Sequence, residues 1–336
     1  MTKITLTKKQ IYVIVLVEES IKMKRTIIGF ICLLFIFCSL VFSGGPGTTT
    51  ASFLKIGVGA RNIGMGETGS ISEDANSIYW NPAGISSIKE KEVSVMHAVW
   101  LEEINYEHLV FAVPFSFGTF GSAVNYLSMG QMDKYDKDGN IVTDDKTFTA
   151  SDIAVTLSYG KTFSLSDTHS LPLNIGLNLK YISSKIEEES ATGFAADIGS
   201  QIKLKDGKLG LGLVVQNIGT GMKFIKETDS LPLNIKIGCG YTIFVGKTSP
   251  LLIALDVNLP SDNDPRANFG VEFTQKFGPV RIAPRLGYKT NTKGLEGLAG
   301  LTAGLGFNIK SYYLDYAFVP YGQLGDTHRI SFSIKF

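Results

Sequence analysis

Few residues in this chain have types and spacings that could do chemistry. Four histidines, His97, His108, His169 and His328, are scattered and show none of the spacing of a metal site. No Gly-x-Ser-x-Gly elbow is present, and nothing selects the members of a composite Ser/His/acid site. Asp136-Lys-Asp-Gly-Asn140 resembles a calcium loop only in part. With Gly139 at the required glycine, Lys134 falls on the first ligand position. An Asp-Gly turn in a solvated loop suits these residues better. Gly57-x-Gly59 and Gly64-x-Gly66 lack the flanking strand and amphipathic helix of a nucleotide site. The sequence therefore predicts no catalytic residue, no metal and no cofactor. What remains is a set of charges in apolar surroundings: Asp256, Glu272, Arg281, Arg285 and Asp315. Such charges can make a selectivity field or can pair with one another.

The elements that hold these charges follow an export signal. Met23-Lys-Arg25 precedes the apolar run 26–42 and Ser43-Gly-Gly-Pro46, which reads as a signal peptide over 23–43. Residues 1–22 read as an overcalled upstream segment, with translation starting at Met23. Cleavage is expected after Ser43, leaving 26 basic and 29 acidic residues, a net charge near −3. No concentrated basic face suggests a nucleic-acid partner. Cys239 is then the only cysteine left, so no internal disulfide can form.

No segment after residue 43 supplies 18 consecutive apolar residues, which excludes a spanning helix there. Short alternating segments appear instead. Ile330, Phe332, Ile334 and Phe336 form one row of the last nine residues, and Arg329, Ser331, Ser333 and Lys335 the other. Leu251, Ile253, Leu255, Val257 and Leu259 likewise oppose Ala254, Asp256 and Asn258; Val280, Ile282, Leu286 and Tyr288 oppose Arg281, Arg285 and Lys289. In lipid the non-helical solution is a closed barrel. The expected fold is all-β, a transmembrane outer-membrane barrel of about 14 antiparallel strands over 91–336. The strands are placed at 91–100, 105–115, 119–129, 150–160, 172–186, 191–203, 208–217, 230–242, 250–260, 265–275, 279–289, 298–308, 312–320 and 328–336. Charges should face the lumen. Thirteen Tyr and 21 Phe suit aromatic girdles. Connections near 116–118, 205–207, 276–278 and 309–311 are tight and fall on the periplasmic side, while the long ones, 130–149 and 218–229, fall outside. The connection 161–171 is long for a periplasmic turn. Ser170-Leu-Pro-Leu-Asn-Ile175 nearly repeats in Ser230-Leu-Pro-Leu-Asn-Ile235, at the start of strands of opposite direction.

Residues 44–90 read as a small N-terminal plug inside the lumen. Glycines at 57, 59, 64, 66 and 69 allow close backbone approach. A short helix over 73–80 is expected, with Asp74 as its cap and Asn81-Pro-Ala-Gly84 as its stop. Its role is a fixed brace or a movable gate. Phe53-Leu-Lys-Ile-Gly57, Gly59-Ala-Arg61, Gly64-Met-Gly66 and Asp74-Ala-Asn-Ser-Ile-Tyr-Trp-Asn-Pro-Ala-Gly84 resemble the N-terminal signature of the PorV/PorQ family. That family is related to FadL-type outer-membrane barrels. The resemblance continues at Phe148-Thr-Ala-Ser-Asp152, Ala191-Thr-Gly-Phe-Ala195, Gln216-Asn-Ile-Gly219 and Leu324-Gly-Asp-Thr-His-Arg-Ile330, and so covers residues 44–336. It implies a 14-stranded barrel with an N-terminal lumenal segment. It also implies that the terminal row, Ile330, Phe332, Ile334 and Phe336, is the signal read by the barrel-assembly machinery.

Three functions follow as expectations. A FadL-like conduit would pass hydrophobic or amphipathic small molecules, with Phe53, Arg61, Met65, Tyr79, Trp80, Asn81 and Pro82 as plug and ligand residues and Leu54 and Ile63 beside them. A PorV-like accessory would receive cargo in type IX secretion, with components of that system as partners. A structural or adhesive surface barrel is the third. All three place the protein in outer-membrane lipid.

Overall fold

The period-two pattern of residues 91–336 resolves into a ring. A computed structural model describes residues 45–101, 104–142, 147–164, 171–204, 207–246, 248–290 and 297–336. The expected upstream segment 1–22 and signal peptide 23–43 lie outside the described residues. Fourteen strands make one antiparallel sheet: β1 Glu92–Val99, β2 Asn105–Phe115, β3 Gly118–Ser128, β4 Ala150–Ser164, β5 Pro172–Ile186, β6 Glu189–Leu204 and β7 Leu209–Gly219 form its first half. The second half is β8 Asn234–Val245, β9 Ser249–Pro260, β10 Arg266–Phe273 continued by Gln275–Phe277, β11 Val280–Lys289, β12 Leu301–Ile309, β13 Tyr312–Pro320 and β14 Asp326–Lys335. Each strand pairs with its sequence neighbour, and β1 pairs with β14 from Glu92↔Lys335 to Val99↔His328. Lys91 and Phe336 exchange backbone hydrogen bonds of 3.0 and 2.9 Å, so the ladder closes through the carboxyl-terminal residue. A closed ring leaves no strand edge unpaired.

Burial is inverted relative to a water-soluble sandwich. One face carries exposed apolar rows, such as Leu109, Leu157, Leu179, Phe194, Leu255 and Leu286. The other buries Asn178, Asp197, Asp256, Asn268, Arg285 and Arg329. This arrangement matches an exterior solvated by hydrocarbon and a polar interior. The terminal row sorts as the alternation predicts: Ile330 and Phe332 are exposed, while Arg329, Ser331 and Ser333 are buried. Aromatic rings cluster near the strand ends. Phe115, Phe117 and Phe120 are in mutual contact and Tyr159 packs on Phe120, with centroid separations of 5.0 to 5.9 Å.

Several boundaries differ from the sequence expectation. β4 runs on to Ser164 instead of stopping at 160, so the awkward connection shrinks to 165–171. β8 begins at Asn234 rather than 230, leaving Pro232 outside the strand, because Asn217 donates its amide to the Pro232 carbonyl at 2.9 Å and holds that stretch off the ladder. Asp74 does not cap the short helix. The helix is Ser77–Trp80 with Asn76 at its N-cap, and Asp74 instead pairs with Arg61 at 3.3 Å. Asn81 ends it in an extended conformation and accepts a hydrogen bond from Ala83 N in the following 3-10 turn, Pro82–Ser87.

Replacing Ile330, midway along β14 and 51% exposed, with Lys would put an ammonium into hydrocarbon at a cost of about 2–4 kcal/mol. The expected result is export with impaired assembly, read as loss of the heat-modifiable folded band in outer-membrane fractions. A full folded band would contradict the outward assignment of this row.

Candidate functional site

Residues 45–91 pass repeatedly along the polar face of the ring. Near the ends of the strands that carry the long loops, Thr50 N donates to Ser230 O at 3.0 Å and Lys55 pairs with Asp262 at 2.7 Å. The chain then runs toward the terminus end, where Arg61 meets Glu272 at 2.7 Å. It returns to the loop end at Glu67, paired with Lys289 at 2.8 Å, and descends again to Glu73, which takes Lys203 at 2.6 Å. A last ascent puts the Tyr79 carbonyl 2.8 Å from Gln216 Nε2, before Lys91 joins Phe336.

Close approach is possible because the strands present glycines where the segment touches them. A Cβ on Gly176 would sit 2.2 Å from the carbonyl carbon of Pro82, and one on Gly212 2.2 Å from Ser70 O. On Gly287 it would meet Gly66 N at 1.9 Å, distances no side chain tolerates. Gly59 and Gly66 also have positive φ, 74° and 69°, which the sharp turns on either side of the helix Ala60–Gly64 require.

Of the residues that the sequence singles out, the structure gathers Arg61, Glu272, Arg285 and Asp315 into one chain of charges. Glu272 accepts from Arg61 Nε and Nη2 at 2.9 and 2.7 Å and from Arg285 Nε at 2.6 Å. Arg285 Nη1 in turn donates to Asp315 at 2.6 Å. Glu272 raises the Arg61 guanidinium well above its ordinary pKa, against the opposing effect of burial. Arg281 lines the same cavity and donates to Asn308 at 3.5 Å. Asp256 stands apart and accepts the amides of Gly69 and Ser70 at 2.8 and 2.9 Å. Trp80 is buried and donates its indole N–H to Val58 O at 3.0 Å; the Tyr79 hydroxyl reaches Leu54 O at 3.0 Å. Asn81 Nδ2 donates to Ser70 O at 2.7 Å, and Pro82 backs onto Gly176. The expected apolar pocket does not gather all its members. Leu54, Tyr79 and Trp80 line a cavity, whereas Phe53, Ile63 and Met65 are buried in packing.

Two cavities of about 260 Å³ each flank the segment. The one toward the terminus end is lined by Arg61, Asp74, Glu92, Arg281, Asp315 and Lys335 among others. The one at the loop end is lined by Glu67, Trp80, Asn217, Lys236, Asp262 and Arg266 among others. Three features were not singled out by sequence reasoning. Lys180 pairs with Asp197 at 2.8 Å at a register shift between β6 and β7, where Asn217 has a φ of 62° and donates its N–H to Asp197. Lys236 lies over the Trp80 ring, 4.4 Å from its centroid. Glu67 is the third: burial pushes its carboxyl up, but Lys289, Arg266 and Arg329 together outweigh this and hold it at about 2. A depressed carboxylate stabilises the fold above its ordinary value of 4.5, and that contribution is lost only as the pH falls toward 2. Period-two alternation places Lys289 on the polar face; its partner Glu67 lies 222 residues away in sequence, which alternation does not reveal.

Removing the shared acceptor is the sharpest perturbation of this network. Glu272→Ala would leave the buried guanidinium of Arg285 and the half-buried one of Arg61 without their shared partner, a loss of about 3–5 kcal/mol. In a Cys239→Ser background, the expected outcome is an inserted barrel in which Ser77→Cys, buried in the native protein, becomes reactive to maleimide. Unchanged labelling would show that the segment is held by packing alone.

The model of the family described as type IX secretion system protein PorV matches residues 46–261. No curated protein matches the chain significantly. Among solved structures, the chain is similar to the Ralstonia pickettii toluene transporter TbuX, with 10% identity, a TM-score of 0.54, and coverage of 83% of this chain and 98% of that one. It is also similar to the P. putida toluene transporter TodX, with 10% identity, a TM-score of 0.54 and coverage of 83% and 99%. A Pseudomonas aeruginosa FadL homologue matches with 12% identity, a TM-score of 0.52 and coverage of 88% and 99%. These likenesses show a shared fold. With a family match spanning the N-terminal segment and more than half of the barrel strands, the chain belongs to the PorV family of outer-membrane β-barrels.

Proposed function

We propose that this protein is an accessory of type IX secretion, a barrel that offers its loop end to exported cargo and does not work as an open pore. The observation that carries this reading is the PorV family match over 46–261, which includes the segment packed on the polar face. On this reading residues 44–90 are a lumenal plug, fixed as a brace. Its support is the glycine seating at Gly176, Gly212 and Gly287 and the shared carboxylate of Glu272, which a gate would have to unseat together. The upstream residues 1–43 are proposed to be removed as leader, because the basic start Met23-Lys-Arg25, the apolar run 26–42 and the small residues that follow have the form of an export signal. Barrel-assembly machinery and outer-membrane lipid are the partners that the outward terminal row implies.

A second reading keeps the FadL-like conduit for hydrophobic or amphipathic small molecules. Leu54, Tyr79 and Trp80 beneath the loops favour it, since an apolar wall with a few polar groups is what a ligand site needs. Polar and charged residues dominate the cavities at both ends, which suits a filled lumen better than a greasy path.

A deletion strain tested in parallel separates the two. The secretion reading expects cargo to accumulate inside the cell envelope while uptake of a long-chain amphiphile is unchanged. Slowed uptake with normal release of surface proteins would overturn it in favour of the conduit.

A further inference from the structure

We infer that the outer wall of β2 to β5 holds one anionic phospholipid at the terminus end, with an acyl chain in an apolar groove and the headgroup phosphate on Lys161. The inference rests on neither reading of the protein's function, only on the hydrocarbon-facing exterior. Residues paired across these strands share a face, so Phe111, Ser122, Leu157 and Leu179 form one outward row. Ser122 is the short member among three large ones. The gap above it is the floor of a groove of about 610 Å³, within the usual range of ligand sites, about 300–1,000 Å³.

Width selects the occupant. β2 and β4 lie two strand spacings apart, about 10 Å, and Phe111 and Leu157 fill part of that distance. What remains admits a single file of methylenes and excludes a helix, whose diameter is about 10–12 Å. The walls are held in place before anything binds. Tyr159 donates its hydroxyl to Phe117 O at 2.8 Å and packs on Phe120 with 5.0 Å between ring centroids. A Cβ on Gly118 would meet the Tyr159 ring at 2.6 Å, so the glycine lets that ring lie on the turn.

Charge selects the headgroup. Lys161 follows Leu157 and Tyr159 on the outward row of β4, four residues beyond Leu157 or about 13 Å. It is exposed, and its ammonium lies 5.5 Å from the Phe163 ring centroid. Among the described residues it pairs with no carboxylate, and no other lysine or arginine stands on an outward row at that end. A lysine so placed lays its stem along apolar surface and keeps its ammonium at the polar boundary, where lipid phosphates lie. One cation at the mouth of a groove one chain wide matches one anionic headgroup.

Native mass spectrometry of the full-length barrel, released from detergent after a check of its heat-modifiable band, reads the lipids retained. The probes are dioleoylphosphatidylglycerol and dioleoylphosphatidylcholine. Expected is saturable retention of one phosphatidylglycerol, about fivefold tighter than phosphatidylcholine, the effect of one lysine beside an anionic lipid. Lys161→Gln should erase that preference, and Ser122→Phe, which fills the floor, should remove saturable retention of both lipids. Lys185→Gln, at an exposed outward lysine near the loop end of β5, should leave both unchanged. Equal retention of the two lipids, uptake of many copies without saturation, an intact preference in Lys161→Gln, intact binding in Ser122→Phe, or an equal loss in Lys185→Gln would each overturn the assignment. So would a dimer of barrels that Ser122→Phe dissociates, because a second copy would then cover the groove. The two-lipid comparison on the native protein needs no substitution, so it decides the matter even if a variant does not fold.

Discussion

Hydrocarbon offers no partner to a backbone N–H, and each one left open there costs several kcal/mol. The rest of this molecule depends on meeting that constraint. A sheet of this length can satisfy it only by closing, and the closure is made by β1 on β14, with Lys91 and Phe336 completing the ladder. The first and last strands of the barrel thus depend on each other. Until the terminal strand is in place the first has an open edge, and the outward row Ile330, Phe332 and Ile334 has no neighbours on which to pack.

Closure creates a second problem on the inner face. The alternation that turns Leu255 and Val257 toward lipid turns Asp256 and Asn258 inward, away from bulk solvent. Those groups need partners, and residues 45–91 bring them: Asp256 takes two amides of that segment, Asn268 donates to Gly66 O, and Glu272 takes Arg61. The barrel and the segment satisfy each other's polar groups. Such buried ion pairs add little net stability compared with an apolar core of similar volume, but breaking one is expensive. They therefore suit a part that has to sit in one place, which is the argument for a fixed brace.

Much of the barrel was legible because period two is a direct consequence of strand geometry. The terminal row, the charged row of β11 and the order of the strands follow from it. β5 and β8, which open near the repeated Ser-Leu-Pro-Leu-Asn-Ile, do run in opposite directions. Strand ends were less legible. Lys161 to Ser164 carry no clear alternation, yet they pair with Pro172–Ile175 because β5 extends the ladder beneath them. The Asp74 carboxylate looked like a cap from its position alone, and a guanidinium nearby in the fold claimed it instead. Lys236 was indistinguishable from any other polar-row residue, since its aromatic partner is supplied by a segment more than a hundred residues away.

The proposed secretion role requires that the N-terminal segment close the lumen. Reconstitution of the purified full-length barrel in a planar bilayer tests this most directly. A fixed plug predicts insertion with no steady ionic conductance across a range of voltages. A stable open conductance from the unmodified protein would contradict it and return the barrel to the class of pores.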